Sequence, residues 1–350
     1  IDADALRFCP GFDPHTALAG SGRLGHVAAV PAEVVAATNA LAARGLRGPT
    51  LLVDGRPWHE AGATEAVELG IAIANAVSYL RMLVAAGVAG DTAADRIAFK
   101  LVVDADQFRS IAKLRAGRLL WSMVLEASGL APRAADIRVE LGRRGLTRRD
   151  PWVNILRATI AGFAGAVGGA NEITLVPFTD ALGVADGDAR RLARNTQLIL
   201  RDECGLARVA DPGGGSGTIE TLTMGLAEEA WRTVQAIEAA GGFGAALAAS
   251  LPQGGRRIAT REKPITGLSE FPNLDETSPG IVAQRAASDR PGLPARPDEA
   301  PFEALRRRSD AALARDGARP LAFLAALGAP SETIARAPWT KALGVAGGLV

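Results

Sequence analysis

The sequence predicts an α/β fold, a parallel sheet wound as a β/α barrel, and three observations carry that expectation. Short β-rich runs alternate with long amphipathic stretches from residue 50 to residue 240. No hairpin signal joins consecutive strands, and the strand ends are glycine-rich or carry proline. Parallel neighbours need crossover connections of about a dozen residues or more, usually a helix. Each gap here is long enough to hold one.

Taken in order, residues 50–54 read as a strand, followed by a helix over 64–86 with Val67, Ile71, Ala74, Val77 and Leu80 at helical spacing. Residues 97–103 form the next strand and 107–128 the next helix. A strand over 137–141 leads to a helix over 151–167, opened by Pro151, whose missing N–H costs nothing in a first turn. Residues 173–178 read as a strand, 188–203 as a helix, 206–210 as a short strand, and 219–240 as a helix closed by Gly241 and Gly242. About five βα units are visible where a barrel has eight, so the expectation is a barrel truncated on its N-terminal side. The start at Ile1 and the apolar end at Val350 read as cut ends.

Periodicity fades after about residue 250. Pro264, Pro272, Pro279, Pro291, Pro294 and Pro297 punctuate a polar stretch that reads as a linker. Beyond it come a helix over 301–315, an apolar strand run over 320–327 and a helix over 337–346. The organisation expected is therefore a barrel over 1–250, a linker over 251–300, and the opening unit of a second domain over 301–350.

With 48% hydrophobic and 22% charged residues and a formal net charge of +1, the 350-residue chain has the composition of a soluble globular protein. That balance argues against nucleic-acid or membrane-surface partners, which call for a concentrated basic face. The pairs Arg143-Arg144 and Arg148-Arg149 and the run Arg306-Arg307-Arg308 read as solvated or inter-subunit charge. Cys9 and Cys204 have no metal-ligand spacing, no uninterrupted apolar run reaches spanning length, and no signal peptide is visible. A reducing cytoplasm is the expected compartment.

The cluster Gly213-Gly214-Gly215-Ser216-Gly217, between a strand and a helix, reads either as a tight turn or as an anion cradle. It satisfies neither common phosphate-loop spacing, since Thr218 stands where a last glycine belongs. More specific is the sequence around it. Arg194-Asn195-Thr196-Gln197 begins a stretch that runs through Asp202-Glu203 and Asp211-Pro212 into Gly214-Gly215-Ser216, then Glu220-Thr221-Leu222-Thr223. This resembles the signature of the methylmalonyl-CoA mutase family, radical isomerases that use adenosylcobalamin.

The resemblance implies a (β/α)8 barrel followed by a flavodoxin-like, cobalamin-binding-type domain, here degenerate and beginning at 301–350. It also implies site positions. Gly55-Arg56-Pro57-Trp58-His59-Glu60-Ala61-Gly62-Ala63 aligns Glu60 with a glutamate that faces the cobalamin, and puts Pro57 on the catalytic histidine. Proline has no donor to replace it. His59, two positions on, would share a face with Pro57 in an extended segment; the alternative is a packing or inter-subunit histidine. In the segment 138–154, Arg138 takes the place of a second pocket histidine and Glu140 that of a glutamine, while Arg143 and Arg144 replace small and aromatic residues. Arg96 matches an arginine that holds the CoA ester, and is either a relic of that role or the partner of a carboxylate. Asp180 sits where catalytic members carry an acid near the cobalamin.

The cobalt-ligand motif D-x-H-x-x-G is absent: Asp13-Pro14-His15 begins like it and fails at Leu18, and His26 and His59 are the other histidines. Arg256-Arg257-Ile258-Ala259 through Pro264-Ile265-Thr266-Gly267-Leu268-Ser269-Glu270-Phe271-Pro272-Asn273-Leu274 is worded like the small, non-catalytic subunit of the bacterial heterodimer. So is Arg319-Pro320-Leu321-Ala322-Phe323-Leu324, at the start of that subunit's degenerate domain. The implied role is a supporting subunit of the enzyme that interconverts methylmalonyl-CoA and succinyl-CoA. Adenosylcobalamin would sit on a large catalytic partner, with no metal, cofactor or catalytic residue on this chain. The alternative is a fragment of an active mutase with His59 as a relocated histidine.

Overall fold

The computed structural model describes residues 9–45, 48–247, 260–284, 292–334 and 336–350. Four strands, β1 (Leu51–Asp54), β2 (Ile97–Val103), β3 (Ile137–Leu141) and β4 (Glu172–Thr174), lie side by side in chain order, every pair parallel. Phe12 adds one parallel bridge to Leu51, so the chain ahead of β1 continues the same winding. Among the described residues the sheet is open.

The helices begin where side chains can take the unpaired N–H groups of a first turn. Asp13 caps α1 (Pro14–Ser21), accepting from Thr16 N at 3.1 Å, and Thr64 caps α4 (Glu65–Ala85), accepting from Val67 N at 3.3 Å. Helix α2 (Val30–Ala43) and the short α3 (Arg56–Glu60) and α5 (Gly90–Asp95) fill the connections around β1 and before β2. Asp106 opens α6 (Gln107–Ala127), and α7 (Val153–Val167) follows β3. After β4 come α8 (Gly187–Leu198), capped by Asp186, then α9 (Gly217–Ala239) and α10 (Phe243–Ala246). The C-terminal part holds α11 (Ala300–Asp316), α12 (Pro330–Thr333) and α13 (Arg336–Ala346).

Period-two alternation divides the strands between two faces. Leu51, Val53, Phe99, Leu101, Val103, Ile137 and Val139 point outward and join Leu69, Ile73, Leu83, Leu114, Leu120 and Trp121 of α4 and α6 in one buried cluster. Each such side chain, fully buried, stabilises the fold by about 1.5–3 kcal/mol. The opposite face, Leu52, Asp54, Lys100, Arg138, Glu140 and Glu172, is where the charges lie.

Several sequence expectations are corrected. Residues 206–210 form a 3-10 turn over Leu206–Arg208, because Gly205 at φ 61° and Asp211 at φ 46° bend the chain away from the sheet. β4 is shorter than 173–178, since Leu175 and Val176 are buried but have no following strand beside them. Residues 320–327 form no strand. Ala322 N and Val350 N each donate across to the other end, to Val350 O and Pro320 O, yet Leu321, Phe323 and Leu327 stay 79%, 91% and 84% exposed. Two helical stretches, 25–43 and Glu65–Ala85, are long and apolar enough to cross a membrane by length and composition. The second is apolar because it is buried against the sheet and its neighbours. Helices α1, α2 and α5 escaped the sequence reading, and residues 256–259 of the Arg256 motif lie outside the described residues.

Helix α9 crosses α4 and α6 closely, and Gly70 makes the α4 crossing possible. A Cβ there would lie 2.6 Å from both Ala230 O and Thr233 Cβ. Gly70→Ala is therefore expected to lower stability by about 1–3 kcal/mol through overpacking, despite a helix-propensity gain of about 1 kcal/mol. Urea denaturation checks this, and an unchanged or raised midpoint would sink it.

Candidate functional site at the carboxyl ends of the strands

A register row runs across the inner face: Asp54, Lys100, Arg138 and Glu172 are lateral neighbours on β1 to β4. This row reads acid, base, base, acid across the four strands. Asp54 is gripped by Arg56, with Nε to Oδ1 at 2.9 Å and Nη2 to Oδ2 at 2.6 Å. Arg138 reaches Glu172 at 3.1 Å and Asp136 at 3.5 Å.

Glu140 stands one layer nearer the mouth and gathers three cations. Lys100 Nζ lies 2.7 Å from its Oε2, Arg56 Nη1 donates to the same oxygen at 2.7 Å, and Arg143 Nη1 donates to Oε1. Burial pushes the Glu140 carboxyl up, but Lys100, Arg56 and Arg143 outweigh it and hold it at about 2. Arg143 then bridges outward: its Nε lies 3.1 Å from Asp180 Oδ2, and its backbone N–H donates to Glu60 Oε1 at 2.8 Å. Burial pushes the Glu60 carboxyl up, with His59, Arg143 and Arg144 pulling the other way.

The structure thus brings together Glu60, Glu140, Asp180 and Arg143. Pro57 lies close by in the first turn of α3, lining a cavity of about 880 Å³ with Asp54, Arg56 and Lys100. Arg144 does not join Glu140; it donates to His59 O at 2.7 Å and Ala63 O at 3.0 Å. Arg138 sits a layer below the mouth. Arg96 is at the other end of the sheet, just before β2, where its Nη1 donates to Gly48 O at 3.0 Å.

His59 faces away from this side. Residues 56–60 are a helical turn, not an extended segment, so His59 and Pro57 point in different directions. His59 is 1% exposed, with Nδ1 3.2 Å from Glu68 Oε2, and Lys113 Nζ lies 2.6 Å from that oxygen. Glu68 also accepts Val102 N at 2.7 Å. Burial raises the Glu68 carboxyl, but Lys113 and His59 bring it below its ordinary value. This cluster, with Arg56 and Lys100, was missed by sequence reasoning. Its available signal was charge at inward strand positions and on the apolar faces of α4 and α6.

The glycine turn before α9 is folded on itself. Gly214 N donates to Asp211 O, Gly215 N to Glu220 Oε1 at 3.0 Å and Ser216 N to Gly213 O, while Arg115 pairs with Asp211 and with Glu220 at 2.7 Å. Those N–H groups serve the turn rather than an anion. Among the described residues, no three or more His, Cys, Asp or Glu side chains are grouped to hold a metal ion.

Residues 293–299 cross the mouth. Leu293 N donates to Ala19 O at 3.2 Å, Arg296 N to Glu60 O at 2.7 Å and Asp298 N to Arg144 O at 2.9 Å. Glu299 Oε2 accepts Arg148 N at 2.6 Å, and Arg149 grips Glu303 and Asp310 of α11.

A parallel sheet in chain order, helices on its outer face and a charged site at its strand ends define an α/β scaffold of the enzyme type. The chain belongs to the methylmalonyl-CoA mutase family, whose family model matches residues 35–277. It is 44% identical over 360 residues to a methylmalonyl-CoA mutase small subunit of Streptomyces virginiae, covering 99% of this chain and 57% of that protein. A small subunit of Propionibacterium freudenreichii subsp. shermanii is 40% identical over 79% of this chain and 44% of its own length. The mitochondrial methylmalonyl-CoA mutase of Bos taurus is 33% identical over 67% of this chain and 33% of its own length. The chain spans about half the length of the small subunits it matches.

Two carboxyls give separable pH signatures. Glu140 has its folded pKa lowered from 4.5 to about 2, so its stabilisation is full above about 4.5 and is lost as pH falls towards 2. Glu140→Gln strands Lys100 and should cost about 3 kcal/mol at neutral pH, read by chemical denaturation. A loss below about 0.5 kcal/mol would refute the node. Glu299 is the opposite case: burial drives its pKa up to about 7, Glu303 adding to the rise while Arg148 and Arg149 oppose it. Its contribution is greatest below about 4.5 and is lost as pH rises to about 7. Glu299→Gln should raise stability at pH 8 by up to about 3 kcal/mol and flatten the slope between 4.5 and 7. An unchanged slope in the denaturation midpoints would contradict the assignment.

Proposed function

We propose that this chain is the supporting small subunit of an adenosylcobalamin-dependent methylmalonyl-CoA mutase, paired with a large subunit that holds the coenzyme and does the isomerisation. The observation that carries this reading is the lattice of paired charges at the mouth. Where catalytic relatives of the resemblance have histidines stand Pro57 and Arg138, and around them Arg56, Lys100, Arg143 and Glu140 satisfy one another. Buried charges are tolerated when paired and hydrogen-bonded, and the resulting lattice is stiff.

The residues present do not fit cobalamin. Of the histidines, His15 is buried with Nδ1 2.8 Å from Asn75 Oδ1, His59 is held by Glu68, and His26 is exposed in a short 3-10 turn remote in sequence from any D-x-H-x-x-G. No step is assigned to the coenzyme on this chain. A relic role for Arg96 and Glu140 toward substrate, and for Glu60 and Asp180 toward the coenzyme, belongs to the same reading.

In this reading the four-stranded sheet is part of a (β/α)8 barrel over 1–250, residues 251–300 link it onward, and 301–350 open a degenerate flavodoxin-like domain. The assembly works in the cytoplasm, without nucleic acid or membrane as partners. Radical intermediates need a closed, dry cavity, and a rigid companion can brace that of the large subunit from outside.

The test is the large subunit's mutase activity and thermal half-life with and without the full-length small subunit. Both are expected to rise on addition, and equal values would overturn the proposal. Pro57→His combined with Arg138→His should leave the isolated chain without mutase activity, since the charge lattice remains. Turnover by that variant, measured as succinyl-CoA formation, would show the chain to be a latent enzyme instead.

A further inference from the structure

Residues 292–299 form a strap over the mouth that is tied at both ends. At one end Gly292 is wedged against the last turn of α1, where a Cβ would overlap Ala19 O and the Gly20 carbonyl. Leu293 N then donates to Ala19 O at 3.2 Å, Arg296 N to Glu60 O at 2.7 Å and Asp298 N to Arg144 O at 2.9 Å. The Leu293 side chain is part of the wall of the cavity of about 880 Å³ that Asp54, Arg56, Pro57 and Lys100 also line.

Glu299 holds the other end, and its carboxyl has no cation to itself. It is 5% exposed and accepts one backbone N–H, from Arg148, at 2.6 Å. The cations in its field are Arg148, Arg149 and Arg157. Each is hydrogen-bonded elsewhere: Arg148 to Ala181 O at 3.0 Å, Arg149 to Glu303 and Asp310, and Arg157 to Thr147 Oγ1, Asn154 Oδ1 and Thr266 O. Glu303, one turn along α11, is a second buried acid acting on it. A protonated carboxyl is tolerated in this place, whereas a carboxylate is desolvated and meets a like charge. Burial accordingly drives the Glu299 pKa up to about 7, with Glu303 adding to the rise. Asp298, the next acid of the strap, is pushed the same way by burial and Asp104, while Arg144, Lys263 and His59 oppose the rise.

We propose that residues 292–299 are a pH-operated latch, shut while Glu299 is protonated and released from the mouth, with Leu293 leaving the cavity wall, when that carboxyl ionises. The device belongs to the fold and is independent of the subunit role proposed above. An open strap returns Glu299 to water and to its ordinary pKa, so ionisation favours opening. The Gly292 end is held by shape and carries no such dependence.

The test is hydrogen exchange of the full-length protein, read by mass spectrometry on peptides covering Leu293, Arg296 and Asp298 and corrected for the intrinsic rate at each pH. Protection there is expected to be lower than in β2 and β3. It is also expected to fall about ten-fold from pH 6 to pH 8, the ratio set by a pKa of about 7 when shut and 4.5 when open. Glu299→Gln, neutral and of the same shape, is expected to abolish that fall and keep the strap shut at both pH values. Gly292→Ala, which forces the other end off α1, is expected to lower protection about ten-fold at both. Equal protection at pH 6 and pH 8 in the wild-type chain overturns the proposal, and so does a fall that persists in Glu299→Gln. Strap amides as protected as those of β2 and β3 would mean that the strap opens only with global unfolding, which overturns it too.

Discussion

A carboxylate on the inner face of a parallel sheet must find cations there, and the arrangement of this mouth follows from how Glu140 does so. Its three partners come from different places: Lys100 from the neighbouring strand, Arg56 from the turn after β1, and Arg143 from the loop after β3. Two of these partners are in turn held by further acids. Arg56 also grips Asp54, and Arg143 also reaches Asp180 and Glu60. The node therefore fixes the register of two strands and the path of two loops at once, and charge balance confines each of them.

On α4, Glu68 is a second buried acid of the same kind. It ties α4 to β2 through Val102 N, to α6 through Lys113 and to α3 through His59. Gly55 leaves room for it, since a Cβ there would meet Glu68 Cγ at 3.0 Å, and Gly142 leaves room for its partner His59, whose Nε2 a Cβ there would meet at 3.3 Å. The turn after β1 is thus clamped between Glu140 through Arg56 and Glu68 through His59. Such ion-paired nodes contribute more to specifying one arrangement than to net stability, because desolvation offsets most of the Coulombic gain.

This network bears on what the mouth can do. A catalytic mouth must admit substrate and change partners during reaction. Here the polar atoms at the mouth are engaged with one another, and residues 293–299 lie across it, held by backbone hydrogen bonds to Ala19, Glu60 and Arg144.

Much of this was legible in the residues. Strands 97–103 and 137–141 were readable to the residue, because their apolar alternation is strong and their caps are conventional. The helices over 64–86, 107–128 and 219–240 were read to within about two residues, as helix ends fray. The family was also carried by local sequence. Tertiary structure decided the rest. Residues 206–210 and 320–327 have strand-like composition, but a strand needs a neighbour to take its N–H and C=O groups, which local sequence does not reveal. Only the fold separates the adjacent Arg143 and Arg144: Arg143 turns into the mouth and Arg144 turns back to His59 O and Ala63 O. Of the two readings open for His59, the helical turn at 56–60 decides for the packing one, sending it to Glu68. Periodicity determines which face a residue takes along its own element; which charges meet across elements depends on how the elements pack.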